Sequence, residues 1–291
     1  MEMKKLTDEK VFNFINVAFM IFFVAIIALP LWNIVALSFN DAKDALRGGI
    51  YFWPRNFSLE SYKTVFEDTQ IYRAFGISVA KTVIGVVGHT LFTGIMAYGI
   101  SKQQLIGRNI YMKMGIVTMF FSGGMIPTFL LYRQLGLLNN FWVYIIPVLF
   151  SFYDMIIMMN FFRNIPASLE ESAEIDGAHP LGIFIRIILP LSLPILATIA
   201  LFHGVFQWND YMTANIYVDD RTLYPVQMLL YRLVSENLSP SVASGTNVIR
   251  ETTSQSLQLA TMVVTTVPVV IVYPFLQKYF IKGMMIGSVK E

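Results

Sequence analysis

Long apolar blocks alternate with polar connections along the chain, and this pattern predicts six membrane-spanning helices. A helix needs about 20 mainly apolar residues to cross a bilayer, and each block is long enough. Lys and Arg are denser in the connections on the side of the two termini, so both termini are expected in the cytoplasm. The predicted spans cover residues 11–37, 74–100, 111–132, 141–162, 191–217 and 256–281.

The composition agrees with a membrane protein and excludes several other classes. Hydrophobic residues make up 55% of the 291 residues and charged residues only 14%, whereas a soluble domain carries about 25% charged residues. The net charge of +2 provides no strong basic field for nucleic acid. Because the chain has no Cys, it has no disulfide, thiolate metal site or cysteine nucleophile. We therefore expect an all-α polytopic membrane protein with one transmembrane domain over residues 1–291.

Motifs for catalysis are absent from the sequence. It contains no G-x-x-x-x-G-K-[ST] phosphate loop, no H-E-x-x-H and no G-x-S-x-G. The three histidines, His89, His179 and His203, are too scattered in sequence to indicate a metal cluster. We expect a non-catalytic chain that binds no cofactor or metal and takes its energy from elsewhere.

The connection between the fourth and fifth spans, residues 163–190, is the most polar segment between the apolar blocks of the second half. Ser168 and Glu171 have capping-box spacing, which predicts a helix beginning there. Gly177 can adopt the left-handed conformation that ends a helix, and Pro180 suits the first turn of the next one. The prediction is a short helix, a sharp turn and a second helix that bends at Pro190 and Pro194 before entering the membrane. Four carboxylates fall within seven residues, at Glu170, Glu171, Glu174 and Asp176.

The same connection resembles the EAA signature of binding-protein-dependent ABC importer permeases, E-A-A-x3-G-x9-I-x-L-P. The matching residues are Glu171, Ser172, Ala173, Gly177, Ile187, Leu189 and Pro190, with Ser172 replacing the middle Ala. The triplet Asp176-Gly177-Ala178 is similar to the form usual in maltose-type carbohydrate permeases.

The resemblance implies a permease subunit of an ATP-driven importer for carbohydrate, an oligosaccharide in our interpretation. The loop would be a coupling helix that docks into a groove of an ATPase subunit. Its partners would be a second homologous permease, two ATP-binding cassette subunits holding ATP and Mg, and an extracytoplasmic solute-binding protein. The chain would lie in a bacterial or archaeal cytoplasmic membrane. The ATPase-coupling residues would be Glu170, Glu171, Ser172, Ala173, Glu174, Asp176, Gly177 and Ala178.

The fifth span carries the densest set of polar side chains within an apolar block. Such residues usually face a cavity or a partner helix, and an aromatic ring beside amides and a carboxylate suits a sugar. The alternative is that they hydrogen-bond neighbouring helices, with Trp208 and Tyr211 anchored at a membrane interface. The candidate substrate path comprises Gln207, Trp208, Asn209, Asp210 and Tyr211, and His203 and Asn215 belong to the same polar set.

Lys81, His89 and Asp154 are further ionisable residues within predicted spans. Lys81 lies near the end of its span and could reach the membrane surface through its long side chain. A pair between Lys81 and Asp154 is possible. The glycines of the second span predict close helix packing rather than a substrate contact; they are Gly85, Gly88, Gly94 and Gly99.

Three alternatives stay open on the sequence. The first is an ABC permease for another solute, such as a peptide, phosphate or polyol. The second is an ion-coupled secondary transporter, which would want interrupted helices around an ion site. The third is a membrane scaffold without transport.

For an importer, the outer connections, residues 38–73 and 219–255, would be the docking surface for the binding protein, and the tail, residues 278–291, would contact the ATPases.

Overall fold

The computed structural model describes residues 2–45, 47–238 and 255–274, and its regular structure there is helical apart from one isolated β-bridge between Asn40 and Phe57. The α-helices are α1 (Glu2–Ser38), α2 (Ala42–Ala45), α3 (Glu60–Glu67), α4 (Thr69–Ser101), α5 (Arg108–Phe120), α6 (Met125–Gln134), α7 (Phe152–Phe162), α8 (Ala167–Ile175), α9 (Pro180–Ile183), α10 (Leu189–Leu191), α11 (Leu193–Asn209), α12 (Met212–Tyr217), α13 (Val226–Leu238) and α14 (Gln255–Pro274). Short 3-10 helices cover Phe141–Tyr144, Ile146–Val148 and Arg221–Leu223, and a π-helical turn covers Phe184–Ile188.

Within the described ranges, three helices are long and apolar enough to cross a membrane: α1 from Glu9 onward, α4 and α14. Three pairs of helices meet the same requirement together, although each pair is bent. The bends are 115° between α5 and α6, 50° between Phe141–Val148 and α7, and 82° between Pro180–Leu191 and α11. The all-α polytopic class is confirmed. The number of six spans requires that each bent pair is one span, so it stays a prediction.

The predicted spans over residues 111–132 and 191–217 are interrupted helices, as the 50° bend also shows for residues 141–162. The first is interrupted at residues 121–124, where Gly124 has a φ of +84° and Pro127 lies in the first turn of α6. The second is broken after Asn209, where Asp210 is extended before α12 begins. Composition makes a segment compatible with lipid, but neighbouring groups can satisfy a broken backbone and so permit these interruptions.

The chain divides into two compact units, residues 1–69 with 232–266 and residues 70–231 with 267–291. In the first unit, apolar side chains of α1 are exposed all round from Val11 to Leu31, as in a helix that faces lipid. Beyond them, the indole Nε1 of Trp32 donates to the carbonyl oxygen of Phe52 at 2.8 Å. The connection after α1 also exposes Trp53, and aromatic side chains of this kind are enriched at membrane–water interfaces.

The second unit has two apolar clusters. One packs α4, α7, α9 and α11 through fully buried side chains such as Met158, Ile188 and Ile199. The other surrounds Tyr144, whose hydroxyl donates to the carbonyl oxygen of Leu223 at 3.0 Å. The predicted close packing is confirmed at Gly85 and Gly88, because an added Cβ would lie 2.5 Å from Gln207 Nε2 and 2.9 Å from Leu149 Cδ1, respectively. At Gly94 an added Cβ would make an ordinary contact of 3.5 Å, and at Gly99 the prediction was wrong, because nothing lies within 4 Å.

Part of the connection over residues 219–255 is helical, because it contains α13. Residues 239–254 lie outside the described residues. The same holds for the end of the predicted sixth span, residues 275–281, and for the predicted tail contact, residues 278–291.

Candidate functional site

The acidic connection forms the predicted helix–turn–helix. Helix α8 ends at Ile175, and Gly177 has a φ of +79°. The Gly177 N–H donates to Glu174 O at 3.0 Å and the Ala178 N–H to Ala173 O at 2.9 Å, which is the Schellman pattern of a helix C-terminus. Pro180 then begins α9. The predicted Ser168 cap was wrong, because Pro166 is the N-cap and Ser168 is already inside α8.

The bend predicted near Pro190 and Pro194 is confirmed. The chain turns by 82° at Ser192, between these two prolines. Helix α8 and its turn are therefore connected to α11 through this bent segment, which begins at Pro180.

The eight predicted coupling residues divide into two faces. Glu170 and Ala173, three positions apart, face the body of the unit and are partly buried. The apolar side chain of Ile175 is 86% exposed beside the turn. The outer face of α8 and the following turn therefore expose acidic groups together with one large apolar side chain. The exposed predicted residues are Glu171, Ser172, Glu174, Asp176, Gly177 and Ala178.

Glu170 is held by residues at the end of α4. The Tyr98 hydroxyl donates to Glu170 Oε2 at 3.2 Å, and Lys102 forms an ion pair with the same oxygen. The Lys102 ammonium also lies 4.5 Å from the centre of the Tyr98 ring. Partial burial lowers the pKa of Lys102 below that of free lysine, and the carboxylate of Glu174 opposes this shift. The sequence analysis did not single out Tyr98 or Lys102 as site residues.

The second unit also contains a cavity of about 230 Å³. Its wall combines three tyrosines with amide, hydroxyl and carboxylate groups. Of the five candidate substrate-path residues, Gln207 and Asp210 line it. The lining residues are Tyr132, Val143, Tyr144, Pro147, Val148, Phe206, Gln207, Asp210, Met212, Thr213, Ile216 and Tyr217.

Gln207 and Asp210 also form hydrogen bonds with backbone groups of the protein. Gln207 Nε2 donates to Tyr144 O at 2.8 Å. The Asp210 carboxylate accepts from the Thr213 N–H at 3.0 Å and from Lys81 Nζ at 3.2 Å. Their side chains therefore shape the wall of the cavity and have part of their hydrogen-bonding capacity already used.

Lys81 pairs neither with Asp154, which was a possible partner, nor with the membrane surface. Lys81 is fully buried and donates to the Asp210 carbonyl oxygen at 2.7 Å as well as to its carboxylate. The break after α11 leaves that carbonyl without a helical partner, so the ammonium finds two acceptors on one residue. The Tyr144 ring adds a cation–π contact, with its centre 4.9 Å from Lys81 Nζ.

The other three candidate substrate-path residues do not line the cavity. Trp208 is buried, with its ring centre 6.2 Å from that of Phe75. Asn209 Nδ2 donates to Val205 O at 2.9 Å within its own helix. Tyr211 stacks on Tyr231 with ring centres 4.6 Å apart. Sequence reasoning missed the tyrosines of the wall, Tyr132, Tyr144 and Tyr217, whose signal was only a hydroxyl inside an otherwise apolar block.

His89 is the partner of Asp154. His89 Nε2 lies 3.0 Å from Asp154 Oδ2, and Nδ1 lies 2.8 Å from the carbonyl oxygen of Val148. The His203 ring stacks on the His89 ring with centres 3.9 Å apart. Two of the scattered histidines thus meet in the fold, although among the described residues no group of three potential ligands could hold a metal ion.

Comparisons with known proteins identify the family. No protein-family model matches the chain. The chain is 42% identical over 287 residues to the polygalacturonan/rhamnogalacturonan transport system permease protein YtcP of Bacillus subtilis (strain 168), covering 97% of this chain and 99% of that protein. It also resembles, at 29% identity and a TM-score of 0.85, a chain in the crystal structure of a bacterial ABC transporter involved in the import of the acidic polysaccharide alginate. The chain belongs to the sugar ABC importer permeases.

The structural likeness to the alginate transporter covers 94% of this permease and 98% of that chain. A second solved structure, a bacterial alginate ABC transporter in complex with alginate pentasaccharide-bound periplasmic protein, shows the same fold at 14% identity. It covers 94% of both chains with a TM-score of 0.60. As a permease, the chain is a non-catalytic transport subunit, as predicted. Its interrupted helices fit the secondary-transporter alternative in shape, but its family is that of ABC importers.

Proposed function

We propose that this permease carries an acidic oligosaccharide across the membrane as one subunit of an ATP-driven importer. The observation that carries the importer role is helix α8, a separate helix with an exposed acidic face and a left-handed Gly177 turn. The acidic substrate is supported by two of the similar proteins, one named as a polygalacturonan/rhamnogalacturonan permease and the other a transporter involved in alginate import.

In this proposal the outer face of α8 docks onto an ATPase subunit, which binds ATP and Mg. This permease itself binds no cofactor. Ile175 fills an apolar hollow of the ATPase, because burying an 86% exposed apolar side chain favours association. The complete importer contains a second homologous permease, two ATPase subunits and an extracytoplasmic solute-binding protein.

In this proposal the permease lies in the cytoplasmic membrane, with α8 and both termini in the cytoplasm. The described residues of the connections over 38–73 and 219–238 then face the outside and contribute to the docking surface for the binding protein. Exposed aromatic residues in the first of these segments support that role, since aromatic side chains are enriched at protein interfaces; they include Tyr51, Trp53 and Phe57.

The cavity is the part of the substrate path that this chain supplies. Its volume of about 230 Å³ is below the 300–1,000 Å³ of typical ligand pockets, so it accommodates one sugar unit of a passing chain rather than a whole oligosaccharide. The Tyr132 and Tyr217 rings, with centres 4.9 Å apart, provide apolar faces for a sugar ring. Lys81 neutralises Asp210, so a uronate carboxylate meets no net negative charge there.

Uptake into liposomes tests the proposal. The permease is reconstituted with its ATPase, its sister permease and its binding protein, and a galacturonate trisaccharide is compared with a neutral galactose trisaccharide. We expect ATP-dependent uptake of the acidic trisaccharide at least about tenfold faster. Equal uptake of both would overturn the acidic assignment, and ATP-dependent uptake of neither by an assembled complex would overturn the saccharide importer role.

A further inference from the structure

One carboxylate of the acidic helix is turned away from the docking surface. The Glu170 side chain is only 15% exposed, whereas Glu171, Glu174 and Asp176 are exposed. Tyr98 and Lys102 both approach its Oε2 atom. Because two groups of its own chain approach it and little of it is exposed, Glu170 is less accessible to a partner than its three acidic neighbours.

Both donors belong to the end of α4 and the residue that follows it. Arg108 reinforces this end, because its Nε donates to Ile100 O at 2.8 Å and so satisfies one of the last carbonyls of α4. Lys102 also lies over the Tyr98 ring. The two groups that approach Glu170 are therefore held in place by contacts of their own.

Helix α4 also reaches the cavity. Lys81, which binds Asp210 in the cavity wall, precedes Lys102 by 21 residues, or about 30 Å of α-helix. One continuous helix thus contacts the wall of the cavity at one position and the acidic helix at another.

We infer that Lys102 and Tyr98 are positioning residues that anchor Glu170, so that α8 and the adjoining end of α4 move as one body when the ATPases close. The anchor deepens the proposed function and rests on it. A movement imposed on the outer face of α8 then passes to α4, and through α4 to the cavity. Neither residue touches substrate or ATP.

The first test changes the charge at the anchor and measures saccharide transported per ATP hydrolysed in the reconstituted importer. Lys102→Met removes the ion pair and is expected to lower that ratio at least about fivefold. Lys102→Arg retains the charge and is expected to keep most of it, and Lys102→Glu combined with Glu170→Lys is expected to restore more than either single change. Lys113→Met, at an exposed lysine of α5, is the matched control. An unchanged ratio in Lys102→Met would overturn the anchor.

The second test uses the absence of cysteine from the chain. Lys102→Cys and Glu170→Cys are combined and joined by a short bis-thiol cross-linker. The unjoined double variant lacks the ion pair, so if α8 and the end of α4 move together, joining them is expected to raise the saccharide transported per ATP hydrolysed above that of the unjoined variant. Loss of transport upon joining would contradict the inference, because it would show that the two segments must separate.

A third readout separates the anchor from the assignment of a saccharide importer. Carbodiimide labelling of the assembled complex, followed by mass spectrometry, reports how accessible each carboxylate is. Lys102→Met is expected to raise the labelling of Glu170 severalfold and to leave that of Glu171 unchanged. If no saccharide is transported but Glu170 labelling rises, the proposed function fails and the anchor stands; unchanged Glu170 labelling overturns the anchor whatever the solute.

Discussion

Lys81 and Asp210, 129 residues apart, form a buried pair at the point where the fifth apolar block breaks. The ammonium lies 2.7 Å from the carbonyl oxygen of Asp210 and 3.2 Å from its carboxylate. One lysine therefore compensates both a backbone group freed by the break and the charge that stands beside the cavity. This double role explains why a cation is retained inside an apolar helix.

Removal of Lys81 should destabilise the permease strongly. Lys81→Met leaves the Asp210 carboxylate, only 10% exposed, without its cation, and we expect a loss of about 3–5 kcal/mol in the free energy of unfolding. Denaturant titration in detergent measures it. In the double variant with Asp210→Asn the loss should be smaller than the sum of the single losses, and simple additivity would refute the pairing. Lys43→Met, at an exposed lysine, should change stability by less than about 0.5 kcal/mol.

The His89–Asp154 pair should tolerate an amide but not an apolar residue. Because the Val148 carbonyl can only accept, His89 carries a proton on Nδ1. In Asp154→Asn, the amide N–H can donate to a neutral Nε2, so we expect a loss below about 1 kcal/mol. Asp154→Leu leaves Nε2 without its partner and should cost about 1–3 kcal/mol. Equal losses in the two variants, measured by denaturant titration, would contradict this arrangement.

The crossing of α5 and α7 at Gly115 should not admit a methyl group. A Cβ added there would overlap the Phe152 ring, so Gly115→Ala should destabilise by about 1–3 kcal/mol through overpacking. Gly99→Ala is the matched control, since nothing lies within 4 Å of its added Cβ. Alanine favours helix over glycine, so this control should be neutral or stabilising by up to about 1 kcal/mol. A greater loss of stability in Gly99→Ala than in Gly115→Ala would contradict the close contact of α5 with Phe152.

The aromatic wall of the cavity should contribute to uptake of the saccharide. Tyr217→Ala removes a ring that contacts both Phe129 and Tyr132, and we expect uptake of the acidic trisaccharide to fall about tenfold. Tyr217→Phe keeps the ring and should retain most of the uptake. Tyr153→Ala, at an exposed tyrosine of α7, should behave like the native permease. Full uptake by Tyr217→Ala would remove this ring from the substrate path.

Local chemistry made the acidic connection predictable from the sequence. Gly177 and Pro180 act within one or two turns of chain, and the structure places the turn and the second helix where these residues predict them. The cap at Ser168 failed because Pro166, two residues earlier, takes the N-cap position, from which the helix already begins at Ala167. The first residue of a helix depends on small differences between neighbouring residues that can occupy the N-cap. The ends of a helix are therefore less predictable than the presence of the helix.

The pairing of buried charges was not predictable in the same way. Lys81 had a plausible partner in Asp154, but the choice of Asp210 depends on a break in the fifth block that the apolar pattern does not reveal. The signal available was the polar run from Gln207 to Asp210 at the end of an apolar helix. Tertiary packing then decided that His89 reaches Asp154 and that Lys81 reaches Asp210.

The most direct test of the central claim is saccharide-stimulated ATP hydrolysis by the assembled importer, with the native permease and with Gly177→Trp. Tryptophan at a φ of +79°, beside the exposed face of α8, should abolish the stimulation, whereas Gly76→Trp, at an exposed glycine of α4 with open space around it, should preserve it. The account predicts stimulation in the native complex and its loss in Gly177→Trp alone. Transport by the permease alone along an ion gradient, unaffected by Gly177→Trp, would contradict the account.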